Sequence, residues 1–298
     1  MTAVRRVAVA ALMTTAALTS AACADPSIGT GGKLRVVAAE NFYGDLAAQL
    51  GGRHVQVTSV LSSPDADPHL FEPGSRTGLQ VTQADVVIEN GVGYDTWMDR
   101  LLAASPSRHR RVVTAARVLH VGGNDPNPHL WYDVAAMPHV VRAMAAAFIA
   151  ADPRHAQDYR HRLRLTLGAL QPLQDAVTRL KHRHAGAPVA YTERVPGLLL
   201  AEAGLVVLTP PGFARAVEDG TDPSAADVLR MRQLLTQHNV AALLYNEQAT
   251  SPVTRQLVQV ARRVQVPVVP VTETVPPGAG YESWQLGQIN QLARALDL

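Results

Sequence analysis

Between Tyr159 and Leu180 the chain carries a single apolar stripe. Tyr159, Leu163, Leu167, Leu170, Leu173, Val177 and Leu180 follow one another at spacings of 4, 4, 3, 3, 4 and 3, the period of one face of an α-helix. Arg160, Arg162, Arg164, Arg179 and Lys181 fall off the stripe and read as solvated. Pro172 lies inside it and predicts a kink, because proline removes a backbone donor and crowds the preceding turn. Asp152-Pro153 separates this helix from an Ala-rich helical run over Pro138 to Ala151. A helix this long with one buried face suits a spine running along two packed units.

Short apolar runs alternate with helical segments on both sides of the spine. Strands are predicted at Leu34–Ala39, Val55–Val60, Asp85–Glu89 and Arg111–Thr114, and again at Pro188–Tyr191, Leu205–Leu208, Val240–Tyr245 and Val266–Val271. The last is expected at an edge, because Pro267 and Pro270 cannot donate to a ladder. Ser224 with Asp227, and Ser251-Pro252, read as helix starts. The expected class is α/β, with two similar lobes of mainly parallel sheet joined by one long rigid helix. The expected divisions are an N-terminal lobe over 34–152, a linking helix over 153–185 and a C-terminal lobe over 186–298.

Residues 1–24 read as an export signal. Arg5-Arg6 precede an apolar run from Val7 to Thr19, too short to span a membrane, and small residues follow. Cys23 is the one cysteine of the chain, so no intramolecular disulfide can form. Two fates are open: lipidation at Cys23, favoured by its placement, or cleavage before Asp25. Residues 25–33, with Gly29, Gly31 and Gly32, read as a flexible tether. Removing Arg5 and Arg6 from the 27 basic residues leaves 25, against 25 acidic residues. A chain so close to neutral is not an electrostatic nucleic-acid binder.

Two stretches echo each other. Asp67-Pro68-His69-Leu70-Phe71 and Asn127-Pro128-His129-Leu130-Trp131 both read acid or amide, Pro, His, Leu, aromatic. A lone loop histidine is ordinarily a solvated one. Two in the same context read as two arms of one site, and imidazole is a common metal ligand. Ligands of open α/β sheets bind beyond the carboxyl ends of the strands. Glu40, Glu193, Glu247 and Glu273 stand at or just past predicted strand ends. Acids in such places also serve as helix first-turn residues, the favoured reading for Glu40 and an open one for Glu247. Two histidines from one lobe and two carboxylates from the other can meet in the cleft between them. No phosphate-binding loop, nucleophile elbow or His-Glu-x-x-His helix is present.

At these residues the chain resembles the metal-binding solute-binding proteins of bacterial ABC transporters for zinc and manganese. The resemblance runs from about Leu34 to the C-terminus. It rests on Ala39-Glu40-Asn41-Phe42-Tyr43-Gly44-Asp45, Asp67-Pro68-His69, Asn90-Gly91-Val92-Gly93-Tyr94-Asp95-Thr96-Trp97-Met98, Pro128-His129-Leu130-Trp131-Tyr132-Asp133, Thr192-Glu193, Tyr245-Asn246-Glu247-Gln248 and Thr272-Glu273-Thr274-Val275-Pro276-Pro277-Gly278. It implies one metal in the cleft, held by His69, His129, Glu193 and Glu273, with Glu247 as a supporting acid. It further implies a monomer outside the cytoplasmic membrane that hands its metal to an ABC permease, with little hinge bending about the rigid helix. Arg194 stands where relatives carry Pro, and a cation beside a ligand is unfavourable unless it points away. Pro196 stands where an aromatic usually packs.

Two imidazoles and two carboxylates form a mixed nitrogen–oxygen set without thiolate. Such a set suits zinc or manganese and disfavours copper(I) and iron–sulfur chemistry. The expectation is a capture protein and not an enzyme. An exported zinc hydrolase would need an open coordination position and a spare base. A binder of organic anions would turn His69 and His129 to the solute instead.

Overall fold

Val36 to Ala39 and Val86 to Ile88 are buried at every position, as strands of a parallel sheet covered on both faces must be. They belong to β1 (Leu34–Glu40) and, after α1 (Asn41–Gly51), β2 (Val55–Leu61) and α2 (Ser75–Gln83), to β3 (Val86–Glu89). Then come α3 (Thr96–Ala104), β4 (Arg111–Thr114), α4 (Ala115–Val118) and α5 (Met137–Ala151). The computed structural model describes residues 32–63 and 71–298. The expected export signal, Cys23, the tether up to residue 31 and His69 lie outside the described residues.

The spine is α6 (Ala156–His184), a helix of 29 residues that continues through Pro172. Tyr159, Leu170, Leu173, Val177 and Leu180 are buried on it as the stripe requires, while Leu163 and Leu167 are half-buried. Beyond α6 run β5 (Pro188–Tyr191), α7 (Gly197–Glu202), β6 (Val206–Val207), α8 (Pro211–Glu218) and α9 (Ala225–Thr236). β7 (Ala242–Asn246), α10 (Pro252–Arg263), β8 (Val268–Val271) and α11 (Tyr281–Leu296) complete the chain. α6 packs on α1 and α5 from the first half and on α11 from the second. Gly52 lets the chain leave α1 beneath it: its φ is 52°, and a Cβ there would strike the Arg162 guanidinium.

The two sheets share one topology. Their strand orders are β2-β1-β3-β4 and β6-β5-β7-β8, with every neighbouring pair parallel. In each, the chain crosses to one side of the first strand and then back to the other. That reversal opens a crevice at the carboxyl ends of β1 and β3, and of β5 and β7. Val81, Val87, Trp97 and Met98 pack one core. Phe213, Met231, Leu235, Leu243 and Leu257 pack the other.

β6 is shorter than the run Leu205–Leu208 suggested and lies at an edge of its sheet, with Val206 partly in solvent. α8 and α11 are not foreseen in the sequence. The buried face of α11 is Tyr281, Trp284, Gln285, Gln288, Ile289 and Leu292, and two glutamines interrupt its apolar period. Ser224 accepts from Asp227 N, and Ser251 forms a capping box with Thr254, as their sequences suggested.

Candidate metal centre

His129 enters the short turn Leu130–Tyr132 between α4 and α5 and is completely buried. Asn127 sets its ring. The Asn127 side chain donates through Nδ2 to the Arg194 carbonyl at 2.8 Å, which turns its Oδ1 toward the histidine. That oxygen accepts from His129 N at 3.0 Å and lies 2.8 Å from Nδ1. An amide oxygen only accepts, so Nδ1 carries the proton and Nε2 presents its lone pair. Nε2 lies 3.4 Å from Glu273 Oε2 and 4.0 Å from Glu193 Oε1.

The two carboxylates come from the loops after β5 and β8 and are 1% and 0% exposed. Asn246, the last residue of β7, stands between them. Its Nδ2 donates to Glu193 Oε2 at 2.6 Å and to Glu273 Oε1 at 2.7 Å. Its Oδ1 accepts from Gln248 N at 3.0 Å, which fixes the orientation of the amide. Gln248 Oε1 accepts from the backbone N–H groups of Glu273 and Thr274. Tyr94 donates its hydroxyl to Glu273 Oε2 at 2.9 Å. The turn delivering Tyr94 is closed by Asp95, whose carboxylate accepts from Asn90 N and Gly91 N at 2.6 and 2.7 Å.

An aromatic block lies behind the histidine. Phe42 stacks on Trp131 with ring centroids 4.2 Å apart. Tyr281 donates to the Trp131 carbonyl at 2.6 Å, and Tyr132 donates to the Thr272 carbonyl at 2.7 Å. The turn holding His129 is thus bonded through Tyr132 to the loop holding Glu273 and through Tyr281 to α11.

Donor atoms of His129, Glu193 and Glu273 all lie within 4.8 Å of one another. Paired buried carboxylates cost several kcal/mol per ion unless counter-charged, and a divalent cation supplies that charge. With metal–ligand distances of roughly 2.0–2.2 Å, a tetrahedral site separates its ligands by about 3.3–3.6 Å. The His129–Glu273 separation falls inside that range, and Glu193 stands a few tenths of an ångström beyond it.

Other expected residues take other places. Glu247 is exposed, so the supporting contacts come from its neighbours Asn246 and Gln248. Side chains alternate along a strand; Asn246 faces inward at the end of β7, so Glu247 faces out. Glu40 occupies the N-cap position of α1 without a side-chain cap bond. It is wholly buried beside Asp95, and burial first, then Asp95 and Glu89, push its pKa well up. Arg194 is turned onto Glu218, with Nε and Nη2 donating at 2.6 and 2.7 Å, and onto Asp125, with Nη1 donating at 2.9 Å. Those acids hold its guanidinium charged. Asn127, Asn246, Gln248 and Tyr94 were visible only as members of motifs, with no spacing that marks them as hydrogen-bond donors or acceptors to ligands.

One imidazole and two carboxylates, buried together at the carboxyl ends of parallel strands, define a pocket that could hold a divalent cation. A family model described as zinc-uptake complex component A, periplasmic, matches residues 36–295. The manganese-binding lipoprotein MntA of Bacillus subtilis is 30% identical over 159 residues, 51% of each chain. The chain thus spans about half the length of that relative. The periplasmic zinc-binding protein TroA of Treponema pallidum superposes with a TM-score of 0.73 at 19% identity, covering 89% of this chain and 99% of that one. The solute-binding protein FpvC of Pseudomonas aeruginosa, in complex with Ni2+, superposes with a TM-score of 0.74 at 20% identity, covering 89% and 97%. The chain belongs to this family of metal-binding solute-binding proteins.

Proposed function

We propose that the protein captures a divalent transition metal outside the cytoplasmic membrane and delivers it to an ABC transporter permease. His129, Glu193 and Glu273 hold the ion, and His69 is the fourth donor. The convergence of three buried donors from two sheets carries the reading. Its relatives, among them a manganese-binding lipoprotein and a periplasmic zinc-binding protein, support it.

Capture is a better fit than catalysis. A hydrolytic site needs a carboxylate free to move a proton. Here Glu193 is held by Asn246, and Glu273 by Asn246 and Tyr94. Such carboxylates are built to stay where they are.

The test is metal titration of chelator-stripped protein in competition with a chromogenic chelator. One tight equivalent, weakened at least a hundredfold by each of His69→Ala, His129→Ala, Glu193→Ala and Glu273→Ala, is the expected result. Binding indifferent to His129 and Glu273 would refute the site.

A further inference from the structure

We propose that the side of the first sheet where its strands begin is a membrane-contacting surface that binds anionic phospholipid headgroups. The inference takes the protein's place outside the cytoplasmic membrane from the capture reading and adds a partner that capture does not require.

Parallel strands all begin on one side of their sheet, and the helices that return between them end there. Residues 32–35, 51–55, 82–86, 103–111 and 150–160 meet on this side. Asp85 N donates to the Arg35 carbonyl at 2.9 Å, and Arg111 N donates to the Asp85 carbonyl at 3.0 Å. The Arg111 side chain donates to the Ala150 carbonyl at 3.3 Å. His54 stacks on His155 with ring centroids 3.9 Å apart. These five segments carry eight Lys and Arg against three Asp. The chain's totals balance once Arg5 and Arg6 are set aside, so the excess is local.

Helix carboxyl ends attract cations, and part of the excess serves that purpose. Arg110 donates to the Val81 and Ser105 carbonyls at the ends of α2 and α3. The aspartates are engaged too: Asp85 accepts from Arg35 and Asp152 from Tyr159, while Asp158 lies 2.7 Å from the His54 ring and 4.0 Å from Arg53. Lys33 and Arg108 stand exposed in loops, and the Arg53 side chain is 82% exposed. Their charges face water and not a helix end. A cation near an anionic leaflet is worth about fivefold in binding, so a few of them acting together hold a protein at a bilayer surface.

The chain also enters the structure here. Lys33 stands ten residues after Cys23, a reach of at most about 35 Å. A bilayer anchor at Cys23 keeps this face within that distance of the headgroups. A tether alone sets distance and not orientation, and the cations supply the orientation. The donors of the metal site lie past the opposite ends of the strands. β1 spans seven residues, about 23 Å, so a molecule standing on this face holds its metal site away from the lipid.

The experiment uses the chain from Asp25 onward, since Lys33–Leu298 is one compact unit. Co-sedimentation is measured with vesicles of phosphatidylcholine and of phosphatidylcholine mixed with phosphatidylglycerol. The parent is compared with the triple variant Lys33→Gln, Arg53→Gln, Arg108→Gln. A second triple variant, Arg179→Gln, Lys181→Gln, Arg183→Gln, removes the same charge at the far end of α6. The expected parent binds the anionic vesicles alone and is released by salt. The first variant loses about tenfold or more and the second less than about twofold, with thermal unfolding unchanged in both. A parent that ignores anionic vesicles, or equal losses in the two variants, overturns the inference. So does release by inorganic phosphate well below the chloride needed at equal ionic strength, the mark of a discrete phosphate site. Metal titration of the same samples tests capture separately. A parent that takes metal and ignores vesicles refutes this surface alone, and one that binds vesicles and takes no metal refutes capture alone.

Discussion

Arg194 and Asp125 meet across the two halves of the chain: the arginine Nη1 donates to Asp125 Oδ1 at 2.9 Å. Each belongs to a ligand-bearing loop, Arg194 next to Glu193 and Asp125 four residues before His129. Arg215 also reaches the second oxygen of Asp125. The result is an ion-pair bridge at the rim of the site, with Asp125 half exposed.

Breaking that bridge should loosen the site without dismantling it. Asp125→Ala is expected to speed metal dissociation severalfold, and raised salt should do the same to the parent, because exposed pairs are screened. Stopped-flow chelator chase measures both. A dissociation rate unmoved by the substitution and by salt would show that the pair does not hold the loops together.

Asn127 fixes the proton on His129 Nδ1. Asn127→Ala should therefore cost about 10–100-fold in metal affinity, the usual penalty for losing a group that orients a ligand. Isothermal titration against a competing chelator reads this directly. Asn127→Asp keeps an acceptor but loses the donor to the Arg194 carbonyl, so it should recover only part of the loss.

Tyr94→Phe removes the hydroxyl that donates to Glu273 Oε2. A buried carboxylate oxygen deprived of a donor costs about 1–3 kcal/mol. Urea unfolding of the metal-free variant should show a loss of that order. Zinc should restore part of the difference by binding the same oxygen.

Acidic residues away from the ligands give the metal-free protein an unusual pH profile. Burial lifts Glu89 from 4.5 to about 7, opposed by the Thr114 hydroxyl and Arg117 and assisted by Asp95. Asp95 and Glu40 are lifted too, chiefly by their own burial. Between 4.5 and 7 the folded state holds a proton that the unfolded state has released, so stability falls as pH rises through that window. Glu89→Gln should be more stable than the parent at pH 8, by on the order of 2 kcal/mol, and equal to it near pH 4.5. Urea midpoints at the two pH values decide the matter.

The architecture was largely open to sequence reasoning because parallel strands buried on both faces leave unbroken runs such as Val86–Ile88, and α6 keeps one apolar stripe. The acids were legible for a related reason: strand ends are where such sheets bind ligands, and Glu193 and Glu273 each follow one. What escaped is what depends on contact rather than period. Sheet order needs the crossovers, which no local pattern records. α11 hides because Gln285 and Gln288 sit where apolar residues were sought. Glu247 looked the better supporting residue by charge, yet one step along a strand turns a side chain to the opposite face, and the neutral Asn246 has the inward place.

The aromatic block behind His129 makes one rigid wall of the pocket. Tyr132 and Tyr281 bond the histidine's turn to the opposite half through largely buried groups. Glu193 is joined to that wall by the buried Asn246 amide, and at the rim the ion pairs of the adjacent Arg194 reach solvent. The three donors are therefore held as one unit, two of them by a single buried amide.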